Sequence, residues 1–148
     1  MNKTSKIIIA VIVVVLAGWV LSANKTEGKV VKIGIIAPLT GPGAVFGNSL
    51  VRGAEMAIQD LAKKDTRYSY ELVIEDDGTN PATSASAAAK LININKVQAI
   101  IAGTSGTGNA ILSLTEPANI PHICIVCADA KIGQGKYNFT NSVLPDDE

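Results

Sequence analysis

An excess of charge of either sign is missing from this sequence: 13 Lys and Arg stand against 13 Asp and Glu over 148 residues. Without a basic excess there is no electrostatic footprint for nucleic acid, and without an acidic block there is no solvated tail. Histidine is nearly absent. His122 is the single one, it lies in an apolar run, and no Ser occupies a G-x-S-x-G elbow, which excludes a hydrolase built on a nucleophile and its base. Cysteine occurs only at Cys124 and Cys127. Neither is near position 23, so a lipid-modified amino terminus is not expected. A zinc site from His122, Cys124 and Cys127 would still need a fourth ligand or an activated water. On a continuous strand, residues three apart are separated by about 10 Å and face opposite sides, beyond the roughly 5.5 Å Cα spacing of a disulfide. The expectation is therefore two buried free thiols, odd in an exported protein, with no metal and no cofactor.

What is present begins with a targeting signal. Lys3 and Lys6 precede an uninterrupted apolar stretch from Ile7 to Leu21, followed by Ser22, Ala23 and the polar run Asn24–Lys29. Basic, then apolar, then small residues is the pattern of an export signal. The stretch is shorter than the roughly 20 residues a spanning helix prefers, yet Leu21-Ser22-Ala23 is a poor cleavage site, so an uncleaved membrane anchor is the alternative. Residues 1–23 are read as signal peptide or anchor, 24–29 as a linker, and 30–148 as one domain.

From Val30 onward, β-branched runs alternate with helix-like stretches: Val30–Ala37, Asn48–Lys64, Tyr70–Glu75, Pro81–Ile94, Val97–Ala102, Gly108–Glu116 and Ile120–Val126. The first and third strands are nearly continuous apolar runs, as befits parallel strands covered on both faces. The pattern predicts an α/β fold with a doubly wound parallel sheet. Asn80-Pro81 supplies a cap and a first-position proline for the second helix. In the first helix Leu50, Ala54, Ile58 and Leu61 form one stripe, read as core.

In open parallel sheets ligands bind beyond the carboxyl ends of the strands. The first such loop, Pro38–Gly47, holds Phe46, either covering an apolar ligand face or stapling the helix start. The third, Gly103-Thr104-Ser105-Gly106-Thr107-Gly108, can offer backbone N–H groups to an anion at a helix amino terminus without any Lys or Arg. Ser105 is the preferred side-chain contact; the alternative is that Ser105 or Thr107 only caps its own helix. The loop lacks both the G-x-G-x-x-G fingerprint and the Lys of a phosphate loop. Glu75-Asp76-Asp77 is read as part of a turn with Gly78 and Asn80, ahead of any calcium or acid–base role.

Ile33-Gly34-Ile35-Ile36-Ala37-Pro38-Leu39-Thr40-Gly41-Pro42 resembles the opening of the leucine/isoleucine/valine-binding proteins, solute-binding proteins of ABC transporters with the type I periplasmic fold. Gly53–Ile58, Glu75–Asp77 with Asn80-Pro81, and Ile120–Ile123 continue the resemblance. It implies a Rossmann-like lobe, a small-molecule ligand such as an amino acid or small carboxylate, no enzymatic activity, transporter membrane subunits as partners, and a location at the extracytoplasmic side of the membrane. Position by position, it puts Phe46 at the ligand border, Ser105, with Gly106 and Thr107 in its loop, at the ligand carboxylate, and Val126, Cys127 and Ala128 at the headgroup. Ala128 stands where the family has a threonine, which counts against an α-amino acid unless Asp129 or a carbonyl replaces the lost acceptor. The family has two lobes, so the sequence is expected to be an incomplete first lobe, with an uncovered apolar face and sheet edge, marginal stability and self-association. Two further functions stay open: a membrane-anchored receptor ectodomain of the same fold, and a nucleotide-binding enzyme domain motivated by the glycine loop.

Overall fold

A computed structural model describes residues 29–140. The expected export segment and residues 24–28 of the expected linker lie outside the described residues, as do 141–148. Lys29, expected to close the linker, is instead the first residue of strand β1 (Lys29–Ala37). After it come helix α1 (Ala44–Lys64), β2 (Tyr68–Asp76), α2 (Pro81–Lys90), β3 (Ala99–Ala102), α3 (Ser105–Thr115), β4 (His122–Cys124) and β5 (Asn138–Thr140). A π-helical turn, Leu91–Asn95, extends α2, and a 3-10 turn, Ala130–Gly133, precedes β5.

All pairings are parallel, in the order β2-β1-β3-β4-β5. This is the doubly wound sheet that the alternation of elements predicts. The chain winds outward from β1 to β2, then crosses back to β3, so the strand order reverses between β1 and β3. Loops leaving the carboxyl ends of neighbouring strands diverge at such a reversal and open a crevice.

One face of the sheet is fully packed. Ile36, Ile100, Ala102 and Cys124 meet Ala87, Ala88, Leu91 and Ile111 from α2 and α3. The other face is covered unevenly. Ile35, Ile101, Ile123 and Phe139 are aligned partners across four strands. Ile35 is fully buried, whereas Ile123 is 40 % and Phe139 53 % exposed. Among the described residues, helix α1 packs on β1 and β2 and leaves this face of β4 and β5 open. Beside it runs an apolar groove of about 380 Å³ lined by Phe46, Leu50, Ala54, Ile101 and Ile125. The expected stripe on α1 is accordingly only half-buried, and Leu61 is 41 % exposed.

Two helices start earlier than their sequence suggests. α1 begins at Ala44 rather than Asn48, and α3 at Ser105 rather than Gly108. Glycine normally weakens a helix, but here it permits close approach. A Cβ on Gly47 would lie 2.0 Å from the Pro38 carbonyl oxygen, and one on Gly108 would lie 2.9 Å from Cys124 Sγ.

Strand β4 is shorter than expected and corrects the cysteine assignment. The chain bends at Ile125–Val126, bringing the Cα atoms of Cys124 and Cys127 to 5.7 Å, and the two form a disulfide rather than free thiols. Strand β5 is an addition to the predicted elements. Glu116 holds it in place: its carboxylate accepts the Lys136 amide at 2.7 Å, the Tyr137 amide at 3.2 Å and the Asn138 side-chain amide. Asn138 in turn accepts from Thr115 Oγ1 at 3.1 Å, and that hydroxyl lies 3.2 Å from His122 Nδ1. His122 is thus a core residue facing α3. Burial pushes its pKa below the ordinary 6.5, against the opposing pull of Asn138 and Glu116.

Candidate ligand-binding site at the strand reversal

The loops that follow β1, β2, β3 and β4 meet at one rim. Asp76, at the end of β2, ties down the first of them. Its carboxylate accepts the Leu39 amide at 2.8 Å, the Thr40 amide at 3.3 Å, the Thr40 hydroxyl at 2.6 Å and the Gly78 amide at 2.9 Å. These donors, the Thr40 hydroxyl foremost, lower its pKa from 3.8 to about 2. Asp76 therefore organises a turn, as the neighbouring Gly78 and Asn80 suggest.

The β3 loop is the first turn of α3. The Gly103 amide donates to the Ile36 carbonyl at 3.0 Å, which extends the β1–β3 ladder to the rim. Thr104 is the helix cap, its Oγ1 accepting from the Thr107 amide at 3.2 Å. This corrects the capping alternative, since neither Ser105 nor Thr107 supplies the cap. Ser105 and Gly106 follow as the first helical residues. First-turn amides lack intrahelical carbonyl partners, so those of Ser105 and Gly106 are available at the positive end of α3.

Ser105 also reaches across to the β4 loop. The Ala128 amide donates to Ser105 Oγ at 3.2 Å. With a lone pair occupied in this way, the Ser105 hydroxyl hydrogen is directed elsewhere and can be donated to an acceptor at the rim. Ala128 is half-buried, Val126 likewise, and Cys127 is buried in the disulfide. Asp129 is engaged by the Asn109 side-chain amide at 2.6 Å and by the Lys131 amide at 2.9 Å. Those bonds, Lys131's first, lower its pKa.

The sequence-predicted residues therefore divide. Ser105, Gly106 and Ala128 come together at the rim. Phe46, in the first turn of α1 and 37 % exposed, leans toward the same loop: a Cβ on Gly103 would lie 3.5 Å from its Cε1. Thr107 does not face outward. It is buried, and its hydroxyl donates to Asp77 at 2.5 Å. Sequence reasoning missed that role for Asp77; the signal is an acidic residue just past the end of a strand, with two hydroxyl-rich helix starts in the sequence. Among the described residues no group of His, Cys, Asp and Glu is placed to hold a metal ion.

Residues 30–147 match the model of a family described as periplasmic binding protein. The Leu/Ile/Val-binding protein BraC3 of Rhizobium johnstonii is 32% identical over 104 residues, covering 63% of this chain and 28% of its own. Among solved structures, the branched-chain amino-acid transporter substrate-binding protein LivJ of Streptococcus pneumoniae, in complex with isoleucine, superposes with a TM-score of 0.71 at 26% identity. That match covers 76% of this chain and 33% of LivJ. A solute-binding protein of an ABC transporter from R. palustris, in complex with 4-hydroxybenzoate, gives a TM-score of 0.67 at 27% identity, over 76% of this chain and 32% of that one. This chain spans about a third or less of the length of these relatives. By sequence and by fold, it belongs to the periplasmic binding protein family.

Proposed function

We propose that residues 30–148 form one wall of a solute-binding site that captures a small carboxylate, an amino acid or an aromatic acid, for an ABC transporter at the extracytoplasmic side of the membrane. The observation that carries this reading is the α3 amino terminus. The Ser105 and Gly106 amides and the Ser105 hydroxyl can converge on one anion, with no Lys or Arg required. Phe46 flanks the same loop with an apolar surface. The relatives in complex with isoleucine and with 4-hydroxybenzoate support a carboxylate as the shared feature. The apolar run Ile7–Leu21 behind Lys3 and Lys6 supports export. Capture rather than catalysis is supported by His122, which is enclosed in the core instead of standing at the rim.

The wall formed by the described residues cannot by itself exclude water from a ligand, so binding by this chain is expected to be weak. The test is an NMR titration of the chain with isoleucine and with 4-hydroxybenzoate. Shifts should concentrate at the Ser105, Gly106 and Ala128 amides. Ser105→Ala should raise the apparent Kd about tenfold, the value of one hydrogen bond to a charged group. Unchanged affinity in that variant, or tight stoichiometric binding by the chain alone, would count against the proposal.

A further inference from the structure

Beneath the Ser105–Gly106 turn lies a second carboxylate, one that no ligand reaches. Asp77 is 1 % exposed and sits just past the end of β2, between the first turns of α2 and α3. Its Oδ2 accepts from Thr107 Oγ1 at 2.5 Å and from Ser84 Oγ at 2.9 Å, and its Oδ1 from the Thr79 amide at 2.9 Å. Its backbone is fixed as well. The Asp77 amide donates to the Ala37 carbonyl at 3.2 Å, and its own carbonyl accepts the Asn80 amide at 2.8 Å. This one residue therefore connects β1, α2 and α3.

From Asp77 a relay runs into the cradle. The Thr107 hydroxyl gives its hydrogen to Asp77, so in the 2.9 Å contact between Thr107 Oγ1 and Thr104 Oγ1 it is Thr104 that donates. Thr104 Oγ1 then accepts the Thr107 amide at 3.2 Å. Thr104 and Thr107 bracket Ser105 and Gly106, and fixing both ends of a four-residue turn fixes the direction of the amides between them. We infer that Asp77 is a positioning residue of the carboxylate site: through Thr107 and Thr104 it aims the Ser105 and Gly106 N–H groups at the rim. The inference rests on the proposed carboxylate site and identifies what holds that site in shape. A negative charge under an anion cradle does not itself attract the anion. Its contribution to binding is geometric.

The relay predicts which hydroxyl matters. Thr107→Val removes the hydroxyl that joins Asp77 to the turn, Thr107→Ser keeps it, and Ser84→Ala removes a different donor from the same carboxylate oxygen. Each 15N-labelled chain is titrated with isoleucine and with 4-hydroxybenzoate, and each is also melted. Thr107→Val should weaken binding about tenfold, while Thr107→Ser and Ser84→Ala stay within about twofold of wild type, whatever their melting temperatures do. Should Thr107→Val not fold, Thr104→Val breaks the same relay at a half-buried position and carries the same expectation. Wild-type affinity in the variant that breaks the relay overturns the inference, as does an equal loss in Ser84→Ala, which would mark a general loss of stability. No shift at Ser105 and Gly106 in the wild-type chain with either probe would remove the carboxylate site itself, and the inference with it.

Discussion

The row Ile35, Ile101, Ile123 and Phe139 runs across the sheet from complete burial under α1 to an open surface, and it offers a graded test of the packing. Truncating a fully buried Ile to Ala costs about 2–5 kcal/mol, made up of lost transfer energy and the cavity left behind. Ile35, with no exposed surface, should fall in that range. Ile123 is 40 % exposed and borders open solvent, so its truncation loses only part of the transfer energy and leaves no closed cavity. About 1 kcal/mol is expected there. Phe139, 53 % exposed at the edge strand, should likewise cost about 1–2 kcal/mol, well under the 3–5 kcal/mol of a core Phe. Urea unfolding of Ile35→Ala, Ile123→Ala and Phe139→Ala at low protein concentration measures all three with the slope as a control. Costs at Ile123 and Phe139 equal to that at Ile35 would refute the reasoning, because they would mean the outer strands are covered in solution. Sedimentation at increasing concentration separates the two cases further: an open apolar row drives association, and Phe139→Ser should reduce it.

Three further outcomes follow from single groups. The His122 pKa is lower folded than unfolded, so its contribution is fully present above about pH 6.5 and is lost as the pH falls toward the depressed folded value; melts between pH 7.5 and 5 should show this loss, and His122→Gln should flatten it. Asp76, lowered to about 2, acts in a separate window, its contribution intact above 3.8 and lost toward pH 2; Asp76→Ala should speed hydrogen exchange at the Leu39 and Thr40 amides, and unchanged exchange would dismiss Asp76 as the tie of that loop. Reducing the Cys124–Cys127 disulfide opens a loop of four residues, which the chain-entropy relation values at about 2 kcal/mol; the melting shift on reduction, paired with the mass change on alkylation, checks both the bond and its size.

Much of the architecture was legible because helix and strand leave different periods in a sequence. The nearly continuous apolar runs of β1 and β3, and the capping pair Asn80-Pro81, specify parallel strands and a helix start without reference to anything distant. What was not legible depends on contacts far along the chain. Gly47 reads locally as a loop residue and Gly108 as the first residue of its helix, yet each lies in a helix that has already begun, at Ala44 and at Ser105, where Pro38 and Cys124 press too close for a side chain. Strand β5 is three residues long and its first residue, Asn138, is held by Glu116 from 22 positions away, so no local period announces it. The disulfide is hidden for a similar reason: two cysteines three apart cannot bridge on a continuous strand, and only the bend at Ile125–Val126 brings them together.

The candidate site shows the same division at the level of single side chains. Backbone donors at a helix start can be inferred from a run of glycines and hydroxyls, because any helix exposes them. Which hydroxyl faces outward cannot, since Thr104, Ser105 and Thr107 differ in neither chemistry nor spacing that a local rule could use. Their roles diverge only when β2 delivers Asp77 beneath the turn and β4 delivers Ala128 beside it. Asp77 draws Thr107 inward, Thr104 closes the cap, and Ala128 takes the Ser105 oxygen while leaving its hydrogen free to donate. The direction of the rim amides thus depends on β2 and β4, which deliver Asp77 and Ala128 to the loop, as much as on the loop itself. A loop of identical sequence placed on another strand would keep its amides and lose their direction.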